Sequence, residues 1–67
     1  MKNPKLLEDI LAKLNVKKQT FSKMIGISGP MVGYYIKGIR SPSLKTVLKI
    51  IEICKRHNIY LNVKDFI

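Results

Sequence analysis

Residues 18–43 read KQTFSKMIGISGPMVGYYIKGIRSPS, and their spacing decides the fold. Phe21, Met24 and Ile25 recur at the interval that gathers side chains on one face of a short helix. Gly26 follows at once and supplies the left-handed backbone with which helices commonly end. Ile27 is apolar inside the turn and is expected to tuck between two helices. Ser28 or Gly29 caps the next one: proline disfavours helical geometry in the residue before it, so Gly29 is itself a candidate N-cap with Pro30 as the first helical residue. That helix, about residues 30–37, ends at Gly38. Val32, Tyr35 and Ile36 make its inward stripe, which leaves Pro30, Gly33, Tyr34 and Lys37 outward. The whole is a pair of short helices joined by a tight turn, spanning about 18–37.

The flanks extend the helical pattern. Upstream, Asn3 and Pro4 suit an N-cap and a first helical position, and Leu6, Leu7, Ile10, Leu11 and Leu14 share one face. Glu8 and Asp9 sit early and Lys13 late, in accord with the helix dipole, so the spacing predicts a helix over 4–14 with Asn15 as C-cap. Downstream, after Ile39-Arg40-Ser41-Pro42, Ser43 can cap a fourth helix carrying Leu44, Val47, Leu48, Ile51 and Cys54 inward. Ile50 and Ile53 then form an apolar surplus available as an interface. In the tail, Ile59, Leu61 and Val63 alternate as in a strand, whereas Asn62 followed by Val63, Phe66 and Ile67 suits a capped final helical turn, which is the preferred reading. There are no repeats or internal linkers. The expectation is an all-α fold, a compact bundle of four to five helices forming a single domain over 1–67.

Composition narrows the function. With 67 residues, 46% of them hydrophobic, the chain can bury one core, and no apolar run is long enough to span a membrane. Met1-Lys2-Asn3-Pro4 lacks the apolar stretch of a secretory signal, so a cytoplasmic location is expected. Thirteen Lys and Arg stand against four acids, a net charge of +9, which points to a polyanionic partner. One cysteine, Cys54, excludes an internal disulfide, and with the single His57 it makes a closed zinc site untenable, so no metal or cofactor is expected. Cys54 reads as a small buried apolar residue and His57 as a helix-end contact. The four acids are scattered and no nucleophile has a base neighbour, which argues against an enzyme, and no small-molecule ligand is indicated.

Gly26-Ile27-Ser28, Val32, Gly38, Pro42 and the apolar fourth helix together resemble the helix-turn-helix domain of phage lambda repressor and Cro proteins. The resemblance runs from helix one to Ile67 and is strongest from Gly26 to Gly38-Ile39. The run Val32-Gly33-x-x-Ile36-x-Gly38-Ile39 is especially similar to the recognition helix of lambda repressor. It implies a transcriptional regulator, Cro-like and repressing, that binds double-stranded operator DNA as a homodimer with helix three in the major groove. By position, Gly29, Pro30, Tyr34 and Arg40 would face bases, while Lys17, Lys18, Ser28, Gly33, Lys37 and Ser41 would meet the DNA backbone. Arg40 has an alternative as a cap on the end of helix three, and Tyr34 as a phosphate contact. Phe66 and Ile67, with helix four, are the expected dimer interface.

Departures from the family pattern matter as much. Family members commonly carry Gln, Ser or Arg where this chain has Gly29 and Pro30, which offer no side-chain donor. Base reading would then rest on Tyr34, Arg40 and the deformability of the DNA. Lys18 stands where a glutamine is frequent, and Ile36 where a glutamate is. Two other readings compete: the same fold as an antitoxin-type or other protein-interaction module, and a charge-driven membrane-surface binder. The second is disfavoured because the apolar stripes already have partners within the bundle.

Overall fold

The computed structural model describes residues 5–66, and all statements of structure refer to these. Helix α1 spans Leu6–Leu14, α2 Lys18–Ile25, α3 Gly29–Lys37 and α4 Leu44–Arg56; a single 3-10 turn, Val63–Asp65, follows. The described residues contain no strand, so the tail takes the capped-turn alternative. Helix α1 starts at Leu6 with Lys5 in the N-cap position, two residues later than expected, and Asn3 and Pro4 lie outside the described residues.

All four α-helices close in one way. Asn15, Gly26, Gly38 and Asn58 each adopt a positive φ, between 56° and 76°. The residue after each is apolar, and its N–H donates to the carbonyl five residues back: Val16 to Leu11, Ile27 to Ser22, Ile39 to Tyr34 and Ile59 to Cys54, at 2.9–3.2 Å. This exit satisfies carbonyls that the helix cannot pair internally. Val16, Ile27 and Ile59 then pack against the core, whereas Ile39 remains 64% exposed.

Leu7, Ile10, Leu11, Phe21, Ile25, Val32 and Tyr35 build the centre of the core with Val47, Ile50, Ile53 and Cys54 from α4. Helix α2 packs most extensively on α3 and also on α4, α1 packs on α3, and the 3-10 turn packs on α4. Met24 and Ile36, assigned inward, are half-buried at the core edge. Ser22 is the one polar residue among the buried set, and its hydroxyl donates to the Gln19 carbonyl at 2.6 Å, which removes the cost of burying it.

Helix α4 corrects the expected register. Ser43 does cap it, accepting the Thr46 N–H at 3.3 Å. Leu44 and Leu48, however, are 58% and 51% exposed, while Ile50 and Ile53, read as surplus, are buried. The cause is that α4 must cover α2 and the 3-10 turn together, so its buried arc centres on Val47, Ile50 and Cys54 and extends to Ile53. A second correction concerns the tail. The Asn62 N–H donates to the Asp65 carboxylate at 2.8 Å, and the two residues form a reciprocal capping box. That turn delivers Phe66 into the core at 2% exposure, so its ring is not offered to a partner subunit; Ile67 lies outside the described residues.

Candidate nucleic-acid interface

The four acids are Glu8, Asp9, Glu52 and Asp65, so 17–43 contains Lys17, Lys18, Lys23, Lys37 and Arg40 with no acid. Neither α2 nor α3 has a carboxylate in its first turn. The positive N-terminal ends of both helices therefore have no carboxylate in their own first turns, which favours an external anion there.

Helix α3 begins at Gly29, with Ser28 in the N-cap position and Pro30 within the first turn. Of the two caps open from sequence, Ser28 is the one formed. A residue before proline resists helical geometry largely through its Cβ, and glycine has none. The Ser28 side chain makes no cap bond; its backbone carbonyl accepts the Met31 N–H at 3.2 Å.

Pro30, Tyr34 and Lys37 follow one another along the outer side of α3 at helical spacing, all exposed, with Tyr34 at 40%. Gly33 is half-buried between them. The Arg40 N–H reaches back to the Tyr34 carbonyl at 3.4 Å, so its backbone helps close α3 while the residue stays exposed beside the same helix end. The capping and outward alternatives for Arg40 are thus compatible. Ser41 is exposed in the following loop. Lys17 occupies the N-cap position of α2, and Lys18 starts the helix; both are exposed.

Between the start of α2 and the start of α3 runs an open cleft. Lys18, Gln19, Ser22 and Lys23 line one side, Gly29 and Pro30 the other, with Ile27 between. Gln19 was not singled out by sequence reasoning. The signal lay in its spacing, because Gln19, Ser22 and Lys23 fall on one helical face that must meet the start of α3. Lys18, Gly29 and Pro30 are thereby brought together, while Tyr34, Lys37 and Arg40 cluster at the other end of α3.

The helix-turn-helix family matches residues 7–57, well over half of the chain. The chain belongs to the lambda repressor/Cro-type helix-turn-helix family. No significant match was found among curated proteins or among solved structures. Family membership makes this helix-turn-helix domain a DNA-binding regulator that acts on double-stranded DNA. In this helix-turn-helix protein no described helix is long and apolar enough to cross a membrane. Cys54 is fully buried, and burial pushes its thiol pKa up, which keeps it protonated and unreactive.

Proposed function

We propose that the protein is a Cro-like transcriptional repressor of the cytoplasm that binds operator DNA as a homodimer, each subunit laying α3 in the major groove. The observation that carries the reading is the acid-free segment 17–43, which forms α2, α3 and their flanks and exposes five basic residues together with Tyr34. Lys17, Lys18, Ser28, Gly33, Lys37 and Ser41 meet the sugar-phosphate backbone. Gly29 and Pro30 approach bases without bonding them through side chains, and Tyr34 and Arg40 supply directional contacts. Selection of bound duplexes from a random pool tests this directly. The wild type is expected to yield a two-fold symmetric motif. Tyr34→Ala and Arg40→Ala should each flatten preference by about 1–3 kcal/mol at their own positions, whereas Lys18→Ala should weaken all sequences alike. Superimposable selection profiles for the three variants would contradict the roles.

The homodimer needs a surface other than Phe66. Leu44 and Leu48 stand exposed one turn apart on α4, with Lys45 and Glu52 exposed alongside. Lys45 and Glu52 are about 10.5 Å apart along the helix axis. Antiparallel pairing of two α4 helices about a two-fold axis near Leu48 places each Lys45 beside the partner's Glu52 and covers the leucines of both. The Glu52–Arg56 ion pair, 2.8 Å and solvent-exposed, is too weak to hold Glu52 back. Sedimentation of the wild type should show a dimer, and Leu44→Gln with Leu48→Gln should give a folded monomer whose melting temperature does not depend on protein concentration. A wild type that is monomeric both free and on DNA would rule the dimer out.

A further inference from the structure

The start of α3 is bare where base readers are needed. Gly29 carries no side chain, a Cβ placed there would meet nothing within 4 Å, and Pro30 has no donor. The space in front of it is bounded on the other side by α2, whose Gln19 is exposed and lines the same cleft as Gly29 and Pro30. Lys18 and Lys23 line that cleft beside it and supply charge for flanking phosphates. Of the cleft's lining residues, Gln19 alone bears a carboxamide, the group that bonds the adenine N6 and N7 edge in a bidentate manner.

From this geometry we infer that Gln19 of α2 is a specificity-determining residue, reading an adenine in the major groove beside the start of α3 in place of side chains that α3 lacks. The inference rests on the DNA-binding mode proposed above. Its structural basis is the placement of Gln19 in the second helical position of α2, one turn before Ser22 and Lys23, on the face turned to α3. The Ser22 hydroxyl holds the Gln19 carbonyl at 2.6 Å, which fixes the backbone from which the amide projects and leaves the amide itself unused by that bond. Sequence reading then comes from both helices of the motif: Gln19 at the α2 end of the cleft, and Tyr34 with Arg40 at the far end of α3.

Random-pool selection with the full chain tests this, with Gln19→Ala and Gln19→Glu compared to the wild type and thermal melts recorded for each. The wild-type motif is expected to contain an adenine at an outer position of each half-site. Gln19→Ala should reduce preference for it by about 5- to 150-fold, while binding to unrelated duplex changes less than about twofold and melting is unchanged. Gln19→Glu should move the preference toward cytosine, whose N4 amino group donates to a carboxylate. An unaltered motif in both variants, or an equal loss on every sequence as for a phosphate contact, would overturn the assignment and leave the DNA-binding reading intact. A wild type that selects no duplex at all would remove both.

Discussion

Raising the salt concentration from 50 to 200 mM is expected to weaken the protein's hold on its operator by about four orders of magnitude. Each phosphate neutralised by a lysine or arginine releases condensed counterions, and log affinity falls with log salt at about 0.9 per phosphate. With about four phosphates met by each subunit, a dimer meets about eight and the slope is about −7. The basis is the distribution of charge. Lys17, Lys18, Lys23, Lys37 and Arg40 lie within a stretch that has no acid, and all are exposed. Binding isotherms on one duplex across that salt range give the slope. A value near half of that expected would indicate that a single subunit binds, and a slope near zero would defeat the electrostatic account outright.

Ile50→Ala is expected to cost about 2–5 kcal/mol of stability, and Leu48→Ala no more than about 0.5 kcal/mol. The two positions lie two residues apart on α4, yet Ile50 is fully buried and Leu48 is half-exposed. A domain of this length holds about 3–10 kcal/mol in total, so the Ile50 variant stands at the edge of unfolding while the Leu48 variant does not. The chain has no disulfide to compensate, since its single cysteine is free. Urea melts at protein concentrations low enough for the wild type to be monomeric measure the difference. Equal losses at the two sites would show that α4 faces the core with a different arc.

Those two residues also show where sequence reading runs out. Leu44, Val47, Leu48, Ile50, Ile51 and Ile53 are all strongly apolar, so two helical stripes compete, each with the correct period. Only the angle at which α4 lies across α2 and the 3-10 turn selects between them, and no local residue encodes that angle. Helix ends were more legible because their cause is local. Asn15, Gly26 and Gly38 announce left-handed exits by residue type, and Asn58-Ile59 repeats the same device without having been read as one. Asn62 announces the final turn, but the inward aim of Phe66 depends on packing beyond that turn. Within the interface, the outward residues of α3 followed from periodicity, as Pro30, Tyr34 and Lys37 show. The cleft shared by Gln19 and Gly29 did not, because it depends on how two helices dock.

Gly29 and Gly33 have consequences for how this protein changes over generations. Neither has the positive φ that holds Gly26 and Gly38 to glycine, and a Cβ at either would meet nothing within 4 Å. Replacing Gly33, a helical glycine at an unstrained position, also tends to stabilise, by about 0.4–1 kcal/mol, whereas a side chain at Gly29 would set a Cβ before Pro30 and forgo that gain. Serine and arginine are each reachable from a glycine codon by a single base change, and both bond base edges. The recognition helix is thus a tolerant site for inherited variation. A lineage can acquire a new base contact by one substitution at Gly29, at a cost confined to placing a Cβ before Pro30 in helical geometry, and closely related regulators in one genome can diverge in target while keeping the same scaffold.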